Sequence, residues 1–108
     1  MAQLTEQDIE RRTRQARSGR PWRALQARVF AEETDCWLCH RWVDQTLPGT
    51  THPMARTVDH VVPLWLGGEP LDRANCRLAH RRCNTIRNNQ VRGAKRPRPS
   101  VSIPAASL

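Results

Sequence analysis

Thr57-Val58-Asp59-His60-Val61-Val62-Pro63-Leu64 is the stretch that decides how this chain reads. It sets an adjacent Asp and His inside a run of apolar residues, where both are costly to bury without partners. Thr57, Val58, Val61 and Val62 predict a strand over 56–62, closed by Pro63 and followed by a loop at Gly67-Gly68. Neighbours on a strand point to opposite faces, so one of the pair can hold a metal while the other reaches a substrate. Asp59 offers a hard oxygen ligand suited to a magnesium-type ion. Histidine as a residue type titrates near neutrality, which makes His60 a candidate to take a proton from water. Taken alone, the pair fits a structural hydrogen bond equally well.

On either side lie two ligand pairs of identical spacing, Cys36-x2-Cys39 and His80-x2-Cys83, with forty residues between them. Two intervening residues let one short turn aim both side chains at a single ion, and two such pairs complete a tetrahedron of three thiolates and an imidazole. A set closed by four protein ligands is structural, with no position left for water. Cys76 competes for the fourth place at the cost of a six-residue gap to Cys83, and reads better as a small buried apolar side chain. His40 competes as well, but it adjoins Cys39, where joint ligation is awkward.

The 108 residues are 38% hydrophobic and include five Phe or Trp and no Tyr, which allows one domain with a small core. Such a domain needs a staple. No N-terminal stretch pairs a positive start with an apolar run of signal-peptide length, and no run approaches a membrane span. The expected setting is therefore a reducing cytoplasm without membrane attachment, where thiols bind zinc rather than oxidise. The formal net charge is +8, and from Arg73 onward there are nine Arg or Lys and no Asp or Glu. A block of one sign points to a polyanion, since each neutralised phosphate releases counterions. Nucleic acid is favoured over a merely solvated face, but charge separates neither DNA from RNA nor cutting from binding.

Residues 1–20 read as a charged arm, partly helical or disordered. A helix is expected from Trp22 to Glu33, with Trp22, Leu25, Val29 and Phe30 forming one apolar face. A hairpin is expected next, with strands at 41–46 and 56–62 and its turn in 47–53, then a helix from near Asn75 to about Asn88. Trp37, Trp42 and Trp65 read as packing around the zinc. The domain is placed at 21–92, with its core at 36–87, and a disordered basic tail at 93–108.

Cys36-x2-Cys39, DHVVPL at 59–64, Gly67-Gly68, Asn75 and HRRCN at 80–84, in that order, resemble the HNH endonuclease family. The likeness is to its small zinc-stapled members from phages and bacteria, and covers roughly Cys36 to Arg87. It implies an α+β fold of the ββα-metal (His-Me finger) type and hydrolysis of DNA phosphodiester bonds, with a host-cytoplasmic setting. By the same likeness His60 is the general base, and Asn75 holds the loop and helps orient that base. Asp59 and Asn84 become the ligands of a catalytic magnesium or manganese ion. Independently of the likeness, Arg81, Arg82 and Arg87 lie on or just after the last expected helix, placed either to grip flanking phosphates or to form a solvated helix face. Two positions depart from the common pattern: Asn84, where many members have His, and His80, where many have Cys. One active site per domain makes nicking the simpler outcome. Phage relatives linked to genome packaging make a terminase a partner to test. The competing classes are a non-catalytic zinc-stapled module that binds nucleic acid and a protein-interaction knuckle.

Overall fold

The computed structural model describes residues 4–94. In chain order they form helices α1 (Glu6–Gln15) and α2 (Arg20–Glu32), strand β1 (Arg56–His60), two 3-10 turns at Leu64–Leu66 and Arg73–Asn75, strand β2 (Cys76–His80) and helix α3 (Arg81–Ala94). β1 and β2 make a two-stranded antiparallel sheet, and α3 follows β2 without a break. This is the ββα order within a small α+β fold. Val61 N–H donates to the Asn75 carbonyl and Arg81 N–H to the Ala55 carbonyl, each at 2.9 Å. These two bonds set Val58 opposite Leu78 and Arg56 opposite His80.

The described residues fall into two units, 4–34 with 58–78 and 35–57 with 79–94. In the first, α1 opens on a capping box, Thr5 and Asp8 bonding each other's backbone N–H, with Arg12 and Arg14 in the last turn to complement the helix dipole. Gly19 at φ 94° and Pro21 then start α2, which buries Trp22, Leu25 and Val29 at spacings of three and four. Ala16, Val58, Cys76 and Leu78 complete that core. At the C-terminal end of α2, Glu33 gathers Arg73 (2.8 Å), Arg77 (2.9 Å) and the Leu78 N–H (3.2 Å), which ties the helix to β2. The second unit has a smaller core of Cys36, Val43, Ala55, Ala79, His80 and Cys83.

Several expectations need correction. No strand forms over 41–46: Asp44 Oδ1 accepts the Thr46 N–H at 3.0 Å and its hydroxyl at 2.6 Å, bending the chain into an Asx turn. Only an isolated bridge, Asp35 with Trp42, remains there. The partner of β1 is instead β2, in residues expected to begin a helix. Cys76, Leu78 and His80 are buried while Arg77 faces out, and backbone pairing with β1 outweighs their helix-tolerant composition. α3 accordingly starts at Arg81 and runs to Ala94, past the expected end and into the first two residues of the expected tail. The rest of that tail lies outside the described residues. Trp42 is 66% exposed and does not pack around the metal site, while Trp37 and Trp65 are half-buried. Among the described residues no helix is long and apolar enough to cross a membrane.

Candidate active site and metal centre

The metal centre lies wholly in the second unit. The Cys36 turn is tied by Cys36 N–H to the Arg41 carbonyl and His40 N–H to the Cys36 carbonyl, both 2.8 Å, and His40 takes φ 63° to close it. Cys36 and Cys39 project from this turn, and His80 and Cys83 from the junction of β2 with α3. One ligand atom from each of the four lies within 4.8 Å of all the others. A tetrahedral zinc with thiolates at about 2.3 Å would draw such atoms to roughly 3.8 Å, so the set is close to its bound arrangement. His80 Nδ1 is the nitrogen that faces the thiols, 3.3 Å from Cys39 Sγ and 3.8 Å from Cys83 Sγ. Its Nε2 lies 3.1 Å from the Trp42 carbonyl. A carbonyl can only accept, so Nε2 carries the proton and Nδ1 presents its lone pair to an ion.

The thiols respond to their surroundings in opposite ways. Burial pushes the Cys36 thiol up, but the backbone N–H groups of Cys39, His80 and Leu38 outweigh it and hold the thiol below its usual range. Cys83 is pushed up to about 12 by burial and by the neighbouring Cys36 and Cys39. Thiols crowded in this way cannot all ionise without a cation among them, and the donor set suits zinc. Cys76 stands apart in the first unit, buried, with its thiol raised to about 11 chiefly by desolvation and directed to the Pro70 carbonyl at 3.6 Å. All four cysteines are free thiols.

In the first unit, β1 carries Asp59, 4% exposed, and His60, half-buried. His60 Nε2 lies 3.1 Å from the carbonyl of buried Pro70, and one face of its ring stacks on Trp22, with centroids 5.5 Å apart and planes at 20°. By the same reasoning as for His80, Nε2 is the donor to this carbonyl. Buried Asn75 closes the intervening loop. Its Oδ1 accepts the Val62 N–H at 2.8 Å, and its Nδ2 donates to the Val62 and Glu69 carbonyls at 3.2 and 3.1 Å. Gly67, at φ 95°, and Gly68 permit that closure, since a Cβ on Gly68 would meet the Val62 carbonyl oxygen at 1.8 Å. From outside, Arg12 of α1 donates to the Gly68 carbonyl at 3.0 Å and to Glu69 Oε1 at 3.1 Å.

Asn84 belongs to the second unit, half-buried on α3, its side-chain oxygen accepting from Asn88 at 3.3 Å. Arg81 and Arg82 border a cleft of about 360 Å³ with Thr51, Pro53, Thr85 and Ile86. Their backbone N–H groups are already given to the Ala55 and Pro53 carbonyls, so only their side chains remain for a polyanion. Arg81 also donates to the Thr50 carbonyl at 2.9 Å, and the Arg87 guanidinium lies 5.0 Å above the Trp37 ring.

Asp59, His60 and Asn75 thus share one unit, while the four thiol and imidazole ligands and Asn84 share the other. The sequence reading missed Trp22, Arg12 and Pro70. Trp22 was absorbed into an apolar helical face, whose periodicity does not separate a packing ring from one stacked on a site residue. Arg12 and the Pro70 carbonyl carry no motif at all. An HNH endonuclease family model matches residues 36–90. No curated protein matches the chain.

Proposed function

The chain belongs to the HNH endonuclease family, and we propose from that premise that it nicks DNA, with His60 as general base and Asp59 as a ligand of a divalent ion. The observation that carries this reading is the fixed tautomer of His60, whose Nε2 is committed to the Pro70 carbonyl at 3.1 Å. An imidazole whose Nε2 donates carries its lone pair on Nδ1, and such a lone pair is what a base needs in order to take a proton from an attacking water. Stacking and hydrogen bond together restrict the ring, so little ordering is left to be done when substrate arrives.

The donor chemistry at Asp59, a carboxylate oxygen, suits a hard ion such as magnesium or manganese. When bound, that ion supplies positive charge to the scissile phosphate and the leaving oxygen. Asn75 and the two glycines keep the loop, and with it the Pro70 carbonyl, at the distance His60 requires. Arg81 and Arg82 border a concave surface and supply cations for flanking phosphates. Arg87, seated on Trp37, would present a fixed charge rather than a mobile one. The zinc staple supplies folding free energy and takes no part in the chemistry.

Supercoiled plasmid is the direct test. Wild-type protein should convert it to the open circle with added magnesium or manganese and leave it intact in EDTA, and His60→Ala should lower the rate by about 10²–10⁴-fold. DNA retarded in a gel but uncut with every divalent ion would replace the enzyme with a binding module.

A further inference from the structure

Trp22 and the helix that carries it lie outside the segment the family model matches, which begins at residue 36. Yet the ring of His60 stacks on that of Trp22. We infer that Trp22 is a positioning residue for His60, so that helix α2 forms part of the catalytic apparatus. This rests on the assignment of His60 as general base.

An imidazole on a strand turns about two side-chain bonds. The Pro70 bond fixes the position of one ring atom, but a single bond of this kind does not by itself set the tilt of the ring plane. A flat surface 5.5 Å away at 20° restrains that tilt and favours one direction for Nδ1. Trp22 can serve because it is itself held: it is 8% exposed, and α2 buries Leu25 and Val29 along the same face. The helix is anchored at its far end as well, where Glu32 and Glu33 take Arg73 at 2.9 and 2.8 Å and Glu33 takes Arg77 at 2.9 Å. Leu at 22 keeps the position apolar at some cost in packing, and it removes the flat face.

The test uses the full chain with Trp22→Leu, which keeps apolar bulk without a flat face, and Trp22→Phe, which keeps the face. Zinc content and thermal melting establish that each variant is folded. Plasmid nicking should show kcat reduced by about 10–100-fold in Trp22→Leu with KM within about twofold of wild type, and most of that loss recovered in Trp22→Phe. A folded Trp22→Leu with wild-type kcat overturns the inference, as does an equal loss in the Leu and Phe variants. Should Trp22→Leu not fold, proton NMR of the wild type decides. The chain has only four histidines, and the ring protons of His60 must be displaced upfield by the indole and show an Overhauser contact to it. Absence of both overturns the inference. A His60→Ala protein that cuts normally would instead remove the assignment of the base, whatever Trp22 does.

Discussion

Asn75 grips Val62 from both sides, accepting its N–H at 2.8 Å and donating to its carbonyl at 3.2 Å. The same amide nitrogen also donates to Glu69 at 3.1 Å, so one buried side chain closes the loop between β1 and β2. Asn75→Asp keeps the size and the acceptor but turns an oxygen toward two carbonyls. The expected cost is about 2–3 kcal/mol, from two lost bonds and a buried oxygen that faces carbonyls instead of donors. Thermal melting should fall by several degrees and nicking by more than tenfold. A variant that melts within about 2 °C of wild type would show that the loop does not depend on this amide.

Gly68→Ala tests the same loop from the other side. The added Cβ would lie 1.8 Å from the Val62 oxygen and 2.7 Å from its carbon, and both are backbone atoms that no rotamer change can move aside. The loop must shift, and the Pro70 carbonyl shifts with it. Nicking should be lost while zinc content stays at the wild-type level, because the four ligands belong to the other unit. Wild-type nicking by Gly68→Ala would mean that the position of the Pro70 carbonyl is immaterial to His60.

What the sequence made legible follows from how local each signal is. The zinc ligands were readable because spacing within a short turn fixes which side chains can meet, and the Cys36, Cys39, His80 and Cys83 atoms do converge. α2 was readable from the recurrence of Trp22, Leu25 and Val29. β2 was not, because Cys76-Arg77-Leu78-Ala79-His80 has no strong strand former, and its conformation is settled by pairing with residues twenty positions away. Trp42 was misread because hydrophobicity predicts burial only on average. In this fold the carbonyl of Trp42 does the structural work, by fixing the tautomer of His80.

Glu33 makes stability depend on acidity. Burial pushes its carboxyl up, but bonds from Arg77, Arg73 and the Leu78 N–H outweigh burial and hold the pKa below its ordinary 4.5. A carboxylate depressed on folding contributes stability above that ordinary value and loses it as pH falls through the folded one. Glu33→Gln should therefore be less stable than wild type by about 1–3 kcal/mol at pH 7, with the gap closing below about pH 4.5. Comparing the two proteins by denaturant melts across pH removes every other titrating group they share. A gap that does not change between pH 7 and pH 3 would show that the charge on Glu33 adds nothing.

The last prediction separates the staple from the remaining thiol. Wild-type protein should carry one zinc per chain. Cys83→Ser removes a thiolate from a set of four, and a hydroxyl is a poor substitute for it. Since binding and folding are coupled in so small a core, this variant should lose both its zinc and its cooperative melting transition. Cys76→Ser is the control, because Cys76 lies outside the cluster and its thiol points to the Pro70 carbonyl, to which a hydroxyl can also donate. It should keep its zinc and melt within about 1–2 kcal/mol of wild type. Metal analysis of the three purified proteins is sufficient, and a Cys83→Ser protein with undiminished zinc would show that the ion is held elsewhere.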